Sequence, residues 1–168
     1  ESLGGICLNW GCIPTKALLK SAQVFEYLKH ASDYGINVKE ASADFDAVVK
    51  RSRDVANGMS NGIQFLMKKN KIDVIMGTAK IAPGKQVTVV DEAGKSTTYT
   101  ASKGVIIATG ARSRELPNLP QDGTKIIGYR QAMTLAKQPK KLVVVGSGAI
   151  GVEFAYFYNT MGTEVTIV

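Results

Sequence analysis

The chain has 168 residues, 45% of them hydrophobic and 21% charged, which suits one ordinary globular domain or two small ones and excludes a disordered or low-complexity polymer. No apolar run approaches the roughly 18 residues of a membrane helix and no signal-peptide pattern is visible, so a soluble chain without a membrane span is expected. The formal net charge of +7 comes from Lys and Arg spread along the chain, with short clusters at Lys68-Lys69-Asn70-Lys71 and at 137–141; no aromatics interleave with them, so a solvated surface is expected and no nucleic acid.

Taken in chain order, the opening segment Leu3 to Pro14 carries Gly4, Gly5 and Gly11 around Cys7 and Cys12, and reads as a tight loop entering a helix. The helix is expected from near Thr15 to about His30, with Ala17, Leu18, Ala22, Phe25 and Leu28 as its apolar stripe. A longer helix fits Asp44 to Lys69, capped by Asp44 and buried through Phe45, Val48, Val49, Val55, Met59, Ile63 and Leu66. Its Asn57-Gly58 and Asn61-Gly62 pairs predict close packing or a bend. Short strands follow at 72–81, 86–91, 96–99 and 104–108, with a hairpin loop at Asp91 to Lys95. The stiff Leu116-Pro117-Asn118-Leu119-Pro120 marks a domain crossing. Beyond it come a short helix at 130–137, a strand Lys141 to Val145, a glycine turn, a helix to about Met161 and a strand Glu164 to Val168.

Two cysteines and one histidine, His30, fall short of a structural zinc site, so no metal is expected. In a reducing compartment a lone close cysteine pair is more often redox-active than structural. A turn rich in glycine brings Cys7 and Cys12 within disulfide range at small conformational cost. With Cys12 at a helix start, the dipole and Lys16 favour its thiolate, and the two sulfurs become chemically unequal, Cys7 exchanging with a substrate dithiol. Two idle, buried thiols remain the alternative on spacing alone.

The turn Gly146-Ser147-Gly148-Ala149-Ile150-Gly151 ends a strand and opens a helix, the context in which G-x-G-x-x-G holds a dinucleotide. Gly146 makes the turn, Gly148 lets the backbone approach a pyrophosphate and Gly151 lets the helix lie against the strand. A strand-to-helix turn that binds nothing is the alternative. The acidic residue that separates NAD from NADP is expected about 20 positions past the first glycine, at or beyond Val168.

The run Gly4-Gly5-Ile6-Cys7-Leu8-Asn9-Trp10-Gly11-Cys12-Ile13-Pro14-Thr15-Lys16-Ala17-Leu18-Leu19 resembles the redox-active segment of the flavoprotein disulfide reductases, and within them the branch that oxidises dihydrolipoamide. Gly77-Thr78-Ala79, Val105 to Gly110 and Gly146 to Glu153 are similar to later motifs of that family in the same order, so the resemblance covers the whole chain. It implies an α/β fold: an incomplete FAD-binding Rossmann-like domain over 1–118, then the first half of an NAD-binding Rossmann-like domain over 119–168. It also implies an oxidoreductase in which dihydrolipoamide reduces the Cys7-Cys12 disulfide, electrons pass to FAD and a hydride leaves for NAD. By the same match Cys7 is the interchange thiol, Cys12 the thiol facing the flavin, Lys16 the lysine at the flavin's reactive edge and Glu153 its partner. Gly4, Gly5, Ala79, Thr109 and Gly110 fall on further cofactor-binding positions, Ala79 at the adenosine half of FAD. Gly146, Gly148, Ala149, Ile150, Gly151 and Glu153 fall on those of the dinucleotide turn.

The implied partner is dihydrolipoamide carried on a lipoyl domain of a 2-oxoacid dehydrogenase complex, and the implied parent is a homodimer of the cytoplasm, or of the mitochondrial matrix in a eukaryote. Ile6 stands where the family often has Thr, removing one polar contact near the cofactor. The family's first glycine fingerprint and its C-terminal His and Glu pair match nothing in the chain; His30 is expected at the surface. The chain is therefore expected to be an internal piece with little turnover alone, prone to associate through unpaired strand edges. Glutathione or mercuric reductases share the cysteine spacing, and a non-catalytic nucleotide-binding module is the rival from another class.

Overall fold

The computed structural model describes residues 2–168. In chain order it forms α1 (Gly5–Trp10), α2 (Cys12–Lys29), a 3-10 turn (Ala31–Tyr34), α3 (Phe45–Lys69), β1 (Thr78–Ala82), β2 (Gln86–Val90), β3 (Ser96–Thr100), α4 (Tyr129–Ala132), β4 (Lys141–Val144), α5 (Ala149–Thr160) and β5 (Glu164–Ile167). These group into two compact units, one running to Ile63 and resuming over Ala111–Val168, the other Gln64–Gly110. The grouping by contact differs from the 1–118 and 119–168 division read from the sequence, because α2 packs directly against α5.

The first unit is built on aromatic and aliphatic side chains that α2, α3 and α5 turn toward one another: Leu18 and Ala22, Phe45, and Phe154, Phe157 and Tyr158, closed by Met133 and Met161. The Phe157 and Tyr158 rings meet edge to face at 5.0 Å, and the Phe45 ring lies 6.1 and 6.0 Å from them. Each such buried ring contributes about 1.5–3 kcal/mol by leaving water. Tyr158 is fully buried, so its hydroxyl needs a partner; it donates to the Ala132 carbonyl, and burial pushes the phenol's pKa up. In the same unit β4 and β5 pair in parallel, Lys141 opposite Glu164 through Val144 opposite Ile167. The expected strand, glycine turn, helix and strand are therefore formed.

Two local expectations in this unit are corrected. The opening segment is not a loop: Gly5 to Trp10 is a six-residue helix, and α2 starts at Cys12 rather than near Thr15. The buried Asn9 side chain stabilises α1 by donating to the Leu3 and Gly5 carbonyls at 2.9 and 3.0 Å. The long helix has its expected limits, with Asp44 accepting from the Ala47 N–H at 3.0 Å as N-cap. Its most buried positions, however, are Phe45 and the small residues Ser52, Ala56 and Ser60, while Met59 and Leu66 are exposed. The helix is continuous through Asn57-Gly58 and Asn61-Gly62, and a Cβ at either glycine would meet nothing within 4 Å.

The Gln64–Gly110 unit contains an antiparallel meander β1-β2-β3, with Thr78 opposite Val90 and Gln86 opposite Thr100. The expected hairpin is present: the Asp91 N–H donates to Lys95 O at 3.0 Å and Asp91 Oδ1 accepts the Lys95 N–H at 2.8 Å. Of the predicted strand at 72–81 only Thr78 onward is β, and 104–108 forms no strand. Those residues have no partner strand among the described residues, and a strand without a ladder leaves its peptide groups to water. Ile106 and Ile107 are accordingly 92% and 70% exposed.

Candidate functional site

Cys7 lies in α1 and Cys12 is the first residue of α2, so a single residue, Gly11, joins the helices that carry them. A Cβ at Gly11 would stand 3.1 Å from both Cys7 Cα and Ile6 O, so glycine eases the tight fold-back of the chain here. Gly4 caps α1 at φ 100°, where a Cβ would come within 2.8 Å of Leu8 Cδ1; Gly5 follows at φ 65°. The cysteines are free thiols and both are exposed, so they are not the buried pair of the alternative reading. Interaction with the neighbouring Cys12, with a smaller contribution from desolvation, pushes the Cys7 pKa above the ordinary thiol value. The two cysteines stand in unlike positions, Cys7 within α1 and Cys12 at the positive end of an 18-residue helix with Lys16 one turn further on.

Lys16 Nζ forms an ion pair with Glu153 Oε1 of α5. The pair is not buried: the Lys16 side chain is 65% exposed and that of Glu153 32%. Such a pair contributes about 0–1 kcal/mol to stability, so what it provides is placement: it ties the cysteine helix to the helix that follows the glycine turn.

In that turn Gly146 has φ 102° and donates its N–H to Val168 O at 2.8 Å. A Cβ at Gly151 would lie 2.7 Å from Gly146 O and 3.0 Å from Val144 Cγ1, so α5 rests on β4 only because the position is glycine. Gly148, the N-cap of α5, has open space where a side chain would be, and Ala149 and Ile150 begin the helix exposed. Beside them runs a groove of about 1090 Å³, lined by Leu119, Ile126, Tyr129, Leu142, Gly146 and Ile150 among others.

Cys7, Cys12, Lys16, Glu153 and the turn glycines share the first unit. Ala79, Thr109 and Gly110 belong to the other: Ala79 is exposed on β1 opposite Val89, and Thr109-Gly110 follows the unpaired 104–108 segment, with Gly110 at φ 76°. His30 is exposed beside Glu26 and Asp33, with no metal-binding cluster among the described residues. No described helix is long and apolar enough to cross a membrane.

Sequence reasoning missed the surroundings of Trp10. The Arg53 guanidinium of α3 lies 4.2 Å from the Trp10 ring centroid and that of Arg130 5.3 Å. Arg53 also donates to Asn9 O at 2.6 Å and to Met133 Sδ at 3.3 Å, and burial draws its pKa below the ordinary guanidinium value. The one signal available was an arginine near the buried stripe of α3.

The model of the pyridine nucleotide-disulphide oxidoreductase family matches residues 1–168. The chain is 49% identical over 167 residues to dihydrolipoyl dehydrogenase of Chlorobaculum parvum, covering 99% of this chain and 35% of that protein. It is 48% identical over 166 residues to that of Zymomonas mobilis, again 99% and 35%, and 40% identical over 168 residues to that of Bacillus subtilis, 99% and 36%. Among solved structures, the crystal structure of LpdA from Mycobacterium tuberculosis superposes with a TM-score of 0.88 at 26% identity, over 99% of this chain and 37% of that one. The chain therefore spans about a third of the length of the relatives it matches. Its mixed α/β architecture, its paired thiols and its glycine turn agree with that match: the chain belongs to the pyridine nucleotide-disulphide oxidoreductase family.

Proposed function

We propose that the chain carries the redox disulfide and part of the dinucleotide-binding apparatus of a dihydrolipoyl dehydrogenase. The observation that carries this reading is the placement of Cys7 and Cys12 on two helices joined by Gly11 alone, with Lys16 of the second helix paired with Glu153 beyond the glycine turn. The glycine turn supports a dinucleotide site: Gly148 leaves open the space a pyrophosphate needs, and Gly151 permits the close strand-to-helix packing that presents the α5 N-terminus. Gly146, Gly148, Ala149, Ile150, Gly151 and Glu153 would hold NAD. Gly4, Gly5, Cys7, Lys16, Ala79, Thr109 and Gly110 would hold FAD, with 1–118 serving the flavin and 119–168 the nicotinamide. When bound, the flavin supplies a two-electron acceptor and the nicotinamide carries the hydride away.

The protein's own part is thiol–disulfide exchange. Starting from the Cys7–Cys12 disulfide, one thiolate of dihydrolipoamide attacks Cys7, forming a mixed disulfide and expelling Cys12 as thiolate. The second lipoyl thiol then closes the lipoamide ring and releases Cys7. One disulfide has been exchanged for another, and both electrons rest on the cysteine pair. Cys12, the first residue of α2, is the leaving thiolate in this exchange. The substrate would arrive on a lipoyl domain of a 2-oxoacid dehydrogenase complex, in the cytoplasm or the mitochondrial matrix, and the whole protein would be a homodimer.

The test is NADH formation from dihydrolipoamide by the full-length, FAD-loaded protein, beside assays with glutathione disulfide and mercuric ion. Dihydrolipoamide turnover is expected, and Cys7→Ser or Cys12→Ser should lower it by about three orders of magnitude or more. A preference for either other substrate would change the branch. Unaltered function in both serine variants would mean the thiols are idle and the chain a binding module.

A further inference from the structure

Because Cys7 and Cys12 sit on different helices joined at Gly11, the separation of their sulfurs is set by the angle between α1 and α2. A six-residue helix, about 9 Å long, cannot hold that angle by itself. Its last carbonyls have no partner within the helix, and its end carries partial negative charge.

We propose that α3 is a splint for α1 and that Arg53 is a positioning residue for the cysteine pair. Arg53 donates to Asn9 O, one of those terminal carbonyls, at 2.6 Å, and its guanidinium covers the ring of Trp10, the last residue before the Gly11 hinge, at 4.2 Å. Its other arm donates to Sδ of Met133, a core residue, at 3.3 Å. At the opposite end of α1, Ser60 Oγ donates to Leu3 O at 3.2 Å. Arg53 and Ser60 are two turns apart on one face of α3, about 10 Å, which matches the length of α1. The helix is therefore gripped at both ends by one rigid element, and Asn9 joins the grips by bonding back to Leu3 and Gly5. A planar fork is required at position 53, since an ammonium can reach Asn9 O but cannot also cover Trp10 and bond the sulfur.

This rests on the redox reading of the cysteine pair, and the two fail differently. The full-length, flavin-loaded protein is equilibrated in glutathione buffers, in which two glutathione thiols reduce one Cys7–Cys12 bond and leave as glutathione disulfide. The thiols are then alkylated and counted by mass. Loosening the splint separates the sulfurs and disfavours the disulfide, so R53M should lower its equilibrium constant by about tenfold, about 30 mV for the two-electron couple. R53K should recover part of the loss and S60A should show a smaller one. R51M, which removes bonds from α3 to Ala17 O and Ser21 Oγ, away from the hinge, should leave it unchanged. A wild-type equilibrium constant in R53M overturns the proposal. If R53M does not fold, wild-type values in both R53K and S60A overturn it. A native protein that forms no Cys7–Cys12 disulfide in any buffer overturns the redox reading instead.

Discussion

The two units hold themselves together by different means. In the unit that carries the cysteines, three helices bury Phe45, Phe157 and Tyr158 against one another, and polar groups such as Arg53 and Lys29 reach across to carbonyls of neighbouring elements. In the Gln64–Gly110 unit, Val89 is the buried side chain among the described residues, and the sheet stands on its ladders and on pairs such as Thr88 with Thr98 at 2.9 Å. Apolar sequence does not explain the difference. Val143 and Val144 are no more hydrophobic than Ile106 and Ile107, but the first pair finds β5 as a ladder partner and the second finds none among the described residues. The helices that carry Cys7 and Cys12 belong to the unit with the buried core.

The largest expected consequence is in unfolding energy. Phe157→Ala should cost about 3–5 kcal/mol in denaturant titration, against about 1–2 kcal/mol for Val89→Ala. Equal costs would erase the contrast between the units. Next is Gly151→Ala, whose new methyl group meets Gly146 O and Val144. It should cost about 1–3 kcal/mol and weaken nucleotide binding measured by calorimetry, whereas Gly62→Ala, where nothing lies within 4 Å, should be neutral or slightly stabilising. Lys16→Met should leave stability within about 1 kcal/mol of the native value because the pair is exposed, yet lower turnover of the full-length protein. A loss of both in proportion would make Lys16 structural.

The smallest effect is that of pH on the Asp122 loop, where one carboxylate oxygen accepts the N–H groups of Thr124, Ile126 and Lys125 at 2.7, 2.9 and 2.8 Å. Those bonds hold its pKa at about 2, against an ordinary 3.8, so the loop's support is complete above that ordinary value and lost as pH falls toward about 2. Amide resonances of Thr124 to Ile126 should titrate with a midpoint near that lower value; a midpoint at the ordinary one would mean the bonds are not kept in solution.

Much of this was legible in the sequence where the signal is local. The cap at Asp44, the hairpin at Asp91 to Lys95 and the strand, glycine turn and helix at Lys141 to Met161 depend on neighbouring residues, and each formed as read. The errors have physical causes. α1 is short and lies between glycines, so propensity argued for a loop, while its support comes from Asn9, Arg53 and Ser60. The buried face of α3 is lined by Ser52, Ala56 and Ser60, which a search for large apolar side chains passes over. The apolar residues at 72–76 and 104–108 have the composition of strands, but pairing is not encoded in one segment. Cys7, Cys12, Lys16 and Glu153 came from a motif; that Lys16 is exposed and Glu153 half-buried, and that Trp10 is covered by guanidinium groups, required the tertiary structure.

The proposed chemistry requires Cys7 and Cys12 to act as one two-electron couple. The oxidised full-length protein, freed of bound nucleotides, should be mixed with one equivalent of dihydrolipoamide, alkylated, and the peptide carrying both cysteines weighed. Two labels per chain with one equivalent of lipoamide released is the expected result. Thiols already labelled before dihydrolipoamide is added, or a disulfide that persists after it, would contradict it.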